Sequence, residues 1–305
     1  MLTYELKDIH QQTVILRHPL KVSFSCAADA PADRLTAVFA VSGTVPVLSS
    51  VEVRQGEERI FFGQIDEQTE EITPKGRLLS VTARSLAAVL LDNEAAPQTY
   101  CLPSMPLLMQ RHFEPLGFTA FEGSENAFGG QLTVTKGMSE WSVLREFCRR
   151  FVQTEPKVRR DGVLDITGQR PQETLVLNAD KVLSCRHSYR PSVLFSEIFA
   201  RTRVGGDYRM RLVSPKAQQI GVQRRRYVNA IDSQTRTVLS VREMLDKAER
   251  AYERLTVTVS GCYPAEPDTR LQLSGRTEQY RIREMTYTLD SSGEKTCFYA
   301  EREKE

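Results

Sequence analysis

The sequence predicts a mainly β protein with an α+β insertion, in which two similar β domains flank a small α/β domain. Three observations lead to this fold class. Residues 1–97 contain short apolar–polar alternations separated by turn residues, a pattern typical of a barrel or sandwich. Residues 98–183 contain two amphipathic helical stripes. Residues 184–305 return to strand patterns around one long helix, so these three ranges are the expected domains.

Six strand-like segments define the first β domain. Leu20, Val22 and Phe24 alternate with polar residues, which places the apolar side chains on one face of a strand. Turns are expected at 55–58 and 73–76. The segment 49–71 is acidic, with seven Asp and Glu against two Arg. The predicted strands are 13–16, 20–25, 35–41, 51–53, 59–65 and 78–83.

The inserted domain is predicted from two helices and a hairpin. Ser104 is expected to cap a helix that ends at Leu116, before Gly117. Ser139 is expected to cap a second helix, and residues 158–166 predict a β-hairpin that turns at Arg160-Asp161-Gly162. The apolar face of the second helix would consist of Trp141, Leu144, Cys148 and Phe151.

One helix interrupts the strand patterns of the second β domain. The capping box Ser240-Val-Arg-Glu243 predicts its start, and an i, i+3, i+4, i+7 stripe continues to Leu255, where a strand begins. Residues 279–289 and 295–300 then predict a hairpin. This hairpin has the same strand–turn–strand plan as residues 59–84, which indicates a weak internal repeat.

Composition excludes several classes of protein. The chain has 305 residues, with 41 Lys and Arg against 39 Asp and Glu, so its formal charge is +2. This balance argues against overall disorder and against a protein that binds polyanions over its whole surface. The longest uncharged apolar stretch, 86–91, is too short for a membrane span, and the N-terminus has no apolar signal region.

Catalytic and metal-binding motifs are absent from the sequence, so we expect no catalytic residue, no metal site and no cofactor. His112 and Cys148 lie on apolar helix stripes and are expected to pack in the core. A glycosidase-type pair at Glu122 and Glu125 stays open as a remote alternative. The six cysteines, at 26, 101, 148, 185, 262 and 297, have no metal spacing and are expected to be buried thiols.

A basic segment is the most unusual feature of the sequence. Residues 201–229 contain eight Lys and Arg against one Asp, and Gly205-Gly206 and Ser214-Pro215 predict a hairpin and a loop. A solvated arm, a contact with an acidic partner and a contact with passing nucleic acid all fit this charge. Only Tyr208 and Tyr227 interleave with the cations, so a base-stacking platform is disfavoured. The candidate contact residues are Arg201, Arg203, Arg209, Arg211, Arg224, Arg225 and Arg226.

The order of several motifs resembles the baseplate hub family of contractile phage tails, the late control gene D or Mu-type tail hub proteins found in prophages and tail-like bacteriocins. Each motif alone is nonspecific, and the ordered set covers most of the chain. In chain order the motifs are Ile60–Ile65 (F-x-G-x-I), Leu79–Leu86 (V-x-A-R-S) leading to Leu91-Asp92, Ser139–Leu144 (S-x-W-x-V-L), the hairpin 158–166, and the helix–strand 248–261 (A-x…L-x-V-x-V-x-G).

The resemblance implies a non-enzymatic structural protein. Such hubs are trimers in which each protomer contributes two similar tube-type β-barrels, so the ring matches a hexameric tail tube on one side and a trimeric central spike on the other. The inserted domain would lie at the periphery, and residues of about 181–204 would complete the first barrel. Since the sequence ends at Glu305 without a fused spike domain, the spike is expected to be a separate protein.

The implied partners are a homotrimer, the tail tube protein, the spike and other baseplate proteins, with no membrane insertion. DNA would pass through the ring without sequence-specific binding. Assembly in the bacterial cytoplasm would precede incorporation into the virion tail baseplate. Two alternatives stay open: a tail-associated carbohydrate-binding module or cell-wall glycan hydrolase, and a neighbouring distal-tail baseplate protein with one barrel.

Overall fold

The protein is mainly β, with 47% strand and 19% helix, which confirms that part of the predicted fold class. The computed structural model describes residues 2–74, 76–201, 206–229, 236–275 and 278–303, and no side chains within 236–240. The chain divides into two compact units. Unit 1 comprises Met1–Pro171, Gly261–Glu266 and Met285–Thr296, and unit 2 comprises Gln172–Ser260, Pro267–Glu284 and Cys297–Glu305.

The first seven strands of unit 1 contain all six predicted strand segments. They pair in the order β3–β4–β7–β6–β5–β1–β2, and every pair is antiparallel. The longest of them, β6, extends eight residues beyond its predicted end at Ile65. The strands are β1 (Leu2–Asp8), β2 (Thr13–Leu16), β3 (Lys21–Ala27), β4 (Arg34–Val41), β5 (Leu48–Gln55), β6 (Glu58–Thr73) and β7 (Gly76–Ser85).

Alternation builds the core of this sheet. In β3 the residues Val22, Phe24 and Cys26 are buried, whereas their neighbours are exposed or partly exposed. Aromatic rings from different strands meet edge to face: Tyr4 contacts Phe39 at 5.4 Å between centroids. Such pairs stabilise a core beyond their buried area by about 0.5–1.5 kcal/mol.

Two motifs of the sequence have a physical reason in this sheet. Gly63 in β6 lies so close to the β7 backbone that a Cβ would meet the Arg84 carbonyl oxygen at 2.1 Å, so only glycine fits. The Arg84 guanidinium donates hydrogen bonds to both Asp66 and Asp92, at 2.6–3.1 Å. These bonds raise the pKa of Arg84 and lower that of Asp92. The arginine therefore ties the helix after β7 to the bulge in β6.

A helical layer with short strands follows β7 in unit 1. Both predicted caps are confirmed, since the Ser104 and Ser139 side chains accept hydrogen bonds from the backbone N–H groups of Leu107 and Ser142. Both helices begin as α-helix and continue as π-helix over 109–113 and 148–152. The elements are α1 (Ala87–Asp92), β8 (Gln98–Tyr100), α2 (Met105–Leu108), β9 (Phe121–Glu122), β10 (Leu132–Val134), α3 (Glu140–Phe147), β11 (Lys157–Val158) and β12 (Leu164–Asp165).

One hydrophobic cluster holds these elements together. Phe113, Leu144 and Phe147 are fully buried in it, as is Cys148. The predicted hairpin at 158–166 is confirmed by the antiparallel pairing of β11 with β12. The short helix α1 was not predicted, because residues 1–97 were interpreted as β throughout.

Six strands of unit 2 pair in the order β14–β18–β21–β20–β19–β13, and three others form a separate sheet, β16–β15–β17. Its elements, in chain order, are β13 (Thr174–Leu177), β14 (Val182–Tyr189), β15 (Glu197–Arg201), β16 (Met210–Val213), α4 (Pro215–Ile220), β17 (Arg225–Asn229), α5 (Arg236–Tyr252), β18 (Glu253–Ser260), β19 (Arg270–Leu273), β20 (Gln279–Asp290) and β21 (Gly293–Arg302).

Two local predictions in unit 2 are wrong. The helix α5 begins at Arg236, so Ser240 lies inside the helix and is not its N-cap. A Ser-x-x-Glu pattern marks a helix start only when the preceding residues are not themselves helical. Ser214-Pro215 begins the short helix α4 rather than a loop, and the Ser214 side chain caps it by accepting a hydrogen bond from the Ala217 N–H.

The strands β20 and β21 contribute residues to both units. They pair with each other as the hairpin predicted from residues 279–289 and 295–300, and β6 and β7 also form an antiparallel hairpin in unit 1. In the part of the chain that the structure describes, no pairing joins β2 to β3, the two ends of the strand order in unit 1. None joins β14 to β13, the two ends of the order in unit 2, so neither order closes into a barrel.

The cysteine prediction is only partly correct. All six cysteines are free thiols; Cys26 and Cys148 are buried, whereas Cys101 and Cys185 are exposed. The prediction fails for these two because spacing alone carries no information on exposure. None of the described helices is long and apolar enough to cross a membrane.

Candidate interaction surface

The basic segment folds into the three-stranded sheet β16–β15–β17. Strand β15 is central, antiparallel to β16 and parallel to β17. Since side chains alternate along a strand, Ile198 and Ala200 point to one face and pack against Val241 and Leu245 of α5. Glu197, Phe199 and Arg201 point to the opposite face. We call this opposite side the cationic face, and its members are Glu197, Phe199, Arg201, Tyr208, Arg211, Arg225 and Tyr227.

One carboxylate organises two of the arginines on the cationic face. Glu197 forms ion pairs with Arg211 and, at 2.9 Å, with Arg225, from the two strands on either side of it. The Glu197 side chain is 11% exposed, whereas those of Arg211 and Arg225 are 55% and 69% exposed. Hydrogen bonds from Arg211 and then Arg225 lower the pKa of Glu197. The two guanidinium groups therefore share one negative charge and remain open to solvent.

Three aromatic rings form a row beside these arginines. Phe199 and Tyr227 stack at 5.2 Å with an interplanar angle of 16°, and Tyr208 meets Tyr227 edge to face at 5.2 Å. The Tyr208 hydroxyl donates a 2.6 Å hydrogen bond to Asn229, and the Arg201 guanidinium lies over the Tyr208 ring. Tyr227 is 60% exposed, which is high for a large aromatic side chain.

The other predicted contact residues lie away from the cationic face. Arg224 and Arg226 both place their guanidinium groups over the Phe195 ring, at 5.3 and 5.4 Å. Arg209 is 87% exposed at its side chain and pairs with Asp207, two residues before it. Arg203 lies outside the described residues. The seven candidates thus separate into Arg201, Arg211 and Arg225 on one face, a pair around Phe195, and a solvated Arg209.

Two members of the cationic face were missed from the sequence. Glu197 and Phe199 precede the basic segment 201–229, so the charge of that segment does not point to them. The signal for them was present, because Glu197, Phe199 and Arg201 alternate with Ile198 and Ala200. The period of two could have shown that the cations share a face with an aromatic ring and a carboxylate.

The acidic segment 49–71 is largely neutralised within unit 1. Arginines pair with four of its seven carboxylates, which leaves few charges for an external contact. Among the described residues, no ion pair involves Glu57, Glu67 or Glu71. The paired carboxylates are Glu52 with Arg54 and Arg59, Glu58 with Arg160, Asp66 with Arg84, and Glu70 with Arg77.

The residues weighed for catalysis have structural roles. His112 is buried, with Nδ1 2.8 Å from a Glu140 carboxylate oxygen and Nε2 2.7 Å from the Tyr100 hydroxyl. Cys148 is buried in the same cluster, and burial raises its pKa to about 12. Glu122 pairs with Arg159 at 2.8 Å.

The fold is similar to that of phage tail proteins. A tail protein of Neisseria meningitidis MC58 aligns over 98% of this chain and 96% of its own, with a TM-score of 0.77 and 17% identity. The 43 kDa tail protein of prophage MuSo2 from Shewanella oneidensis aligns over 98% of each chain, with a TM-score of 0.78 and 15% identity.

A third similar structure is the Escherichia coli protein c3393, described as a component of the type VI secretion system with structural similarity to the bacteriophage T4 tail proteins gp27 and gp5. It aligns over 98% of this chain and 77% of its own, with a TM-score of 0.57 and 11% identity. No protein-family model and no curated protein matches the sequence.

Proposed function

We propose that this chain is the structural baseplate hub of a contractile phage tail or tail-like particle. In this role it forms a trimeric ring that adapts a hexameric tail tube to a trimeric central spike, and it catalyses no reaction. The observation that supports this most is the fold similarity to two tail proteins over nearly the full length of all three chains. The description of the Escherichia coli protein, which links it to gp27 and gp5, points to the same position in a tail.

The internal organisation of the chain supports an adaptor. The hairpins β6–β7 and β20–β21 share a plan, and a helical layer lies between them in sequence. We assign residues 1–97 to a first barrel, 98–183 to the insertion and 184–305 to a second barrel. Each barrel would complete its strand pairing with neighbours in the ring, because an open strand edge is satisfied by another strand. Two such barrels per protomer would give three protomers pseudo-six-fold symmetry.

Light scattering on the purified protein tests the proposal, measured across protein and salt concentration. A hub predicts a trimer with a mass near three times 34.6 kDa. The trimer forms either from the protein alone or after the tail tube and spike proteins of the same particle are added. A complex of these three proteins with three hub copies would support the adaptor role. A monomer that binds neither partner but binds cell-wall glycan would overturn it in favour of a carbohydrate-binding module.

A further inference from the structure

We propose that the cationic face binds the distal half of strand β6 (residues 66–73), with Glu67 and Glu71, from a second copy of this chain. The inference rests on the proposed ring and names the surfaces that join its protomers. It concerns a contact between copies, in which unit 2 of one copy meets unit 1 of the next.

Among the described residues the cationic face carries more positive than negative charge. In the part of the chain that the structure describes, it carries three arginines and one carboxylate, Glu197, and Arg211 and Arg225 stay more than half exposed while paired with it. The third, Arg201, leans on the Tyr208 ring, and its buried Nε has no hydrogen-bond partner among the described residues. An anionic ligand would therefore gain contacts that the protomer itself leaves unmade.

The composition of the face favours a protein ligand over nucleic acid. Arginine and tyrosine are enriched at the centres of protein interfaces. A single strand of nucleic acid would instead need exposed ring faces on which its bases could stack. Here Phe199 and Tyr227 stack on each other, and Tyr208 contacts Tyr227 edge to face. Neighbouring rings therefore already cover ring faces on which a base would have to stack.

The distal half of β6 offers the complementary charge. Beyond Gln64, β6 pairs only with β7, and its partner strand β5 has ended. Gln68 and Glu70 are engaged by the preceding loop, through the backbone N–H groups of Leu48 and Val45. Glu67 and Glu71 lie on the opposite side of the strand, both exposed.

The spacings of the two surfaces match. Glu67 and Glu71 are four residues apart on one strand face, a separation of about 13 Å at 3.3 Å per residue. On the cationic face, Arg225 lies opposite Glu197, and Arg201 is four residues further along the same strand, so these two arginines are separated by about the same distance. Two carboxylates on one strand can therefore meet two guanidinium groups.

A contact between two different surfaces of identical chains is heterologous, and such contacts generate a closed ring when the rotation allows closure. This is the kind of contact that a trimeric hub requires. It also predicts that self-association weakens as salt rises, because exposed ion pairs are screened.

Charge reversal with rescue tests the contact, measured by light scattering over a concentration series of the full chain. The hairpin variant Glu67→Lys with Glu71→Lys and the face variant Arg201→Glu with Arg225→Glu are each expected to weaken self-association at least about tenfold. A chain that carries all four substitutions has opposite charges at every contact of the ring again, and its self-association should recover. The matched control Glu57→Lys with Glu125→Lys makes the same charge change outside the contact and should leave self-association unchanged.

Circular dichroism and thermal melting check that each variant folds. If the face variant does not fold, Arg201→Gln with Arg225→Gln replaces it and should also weaken self-association. A wild-type monomer at every concentration overturns the inference while leaving the hub proposal to the test with tube and spike proteins. Unchanged self-association of either charge variant, or no recovery in the chain with all four substitutions, also overturns it. So does binding of a fluorescent single-stranded DNA that the face variant loses while its self-association persists.

Discussion

Replacing Asp33 by Asn should stabilise the protein relative to the wild type, and this gain should be larger at neutral pH than at acidic pH. Asp33 is half-buried just before β4, where its backbone exchanges hydrogen bonds with Ser85. Burial raises the pKa of Asp33 to about 6; nearby Arg160 lowers it and Glu266 raises it. The ionised carboxylate therefore destabilises the fold, and asparagine keeps the shape while removing the charge.

The size of the effect follows from the pKa shift. A shift from 3.8 to about 6 corresponds to about 3 kcal/mol at most, and partial exposure of Asp33 reduces the expected value to about 1–2 kcal/mol. Below about pH 4 the carboxyl is protonated in both states, so the difference between variant and wild type is independent of pH. Between about pH 4 and 6 the unfolded state ionises first, so the wild type loses stability as pH rises.

Urea unfolding at a series of pH values measures this difference. The Asp33→Asn advantage should grow between about pH 4 and 6 and stay constant above. Glu125→Gln removes an exposed loop carboxylate and is the matched control, with no comparable trend. In a chain that keeps Asp33, Arg160→Met should extend the loss of stability with rising pH to higher pH, because the guanidinium no longer favours the ionised carboxylate. A pH-independent difference, or one that shrinks as pH rises, would refute the reasoning.

Three further predictions test the packing of unit 1 and the exposure of the thiols. Gly63→Ala should cost about 3 kcal/mol or more in thermal unfolding, because the new Cβ would meet the Arg84 carbonyl oxygen, whereas Gly43→Ala has open space and should cost little. Tyr100→Phe removes the hydroxyl that is hydrogen-bonded to His112 and should cost about 1–2 kcal/mol; an unchanged melting temperature would contradict the buried hydrogen bond. In the native protein a thiol reagent should modify the two exposed cysteines first and the two buried ones only on unfolding, and equal rates would contradict the assigned burial.

Local signals predicted most of the elements correctly. The alternation of Leu20, Val22 and Phe24 predicts a strand because a half-buried strand exposes every second residue. Ser139 predicts a helix start because its side chain satisfies a backbone N–H that the helix leaves unpaired. Ser240 carries the same local pattern but lies inside α5, since the residues before it also form helix.

Long-range pairing accounts for what the sequence did not predict. The distal half of β6 is polar and shows no apolar alternation, and it is a strand because β7 supplies a partner along its whole length. The parallel pairing of β15 with β17 joins segments separated by more than 20 residues, so no local period shows it. The cationic face depends on this pairing, because Arg225 approaches Glu197 only once β17 lies beside β15.

A formal charge of +2 conceals a segregation of charge that follows from the fold. In β6 three of the five carboxylates, Glu58, Asp66 and Glu70, pair with arginines of unit 1, so much of the acidic character of the strand is neutralised on folding. On the cationic face the opposite holds, since the strand pairing brings arginines from both neighbours to one glutamate. Exposed charges contribute little to the stability of a protomer, yet they select partners and orientation when two surfaces meet. Exposed arginines beside an aromatic row are therefore better explained by assembly than by folding, and Glu67 and Glu71 are carboxylates of β6 that have no ion pair among the described residues.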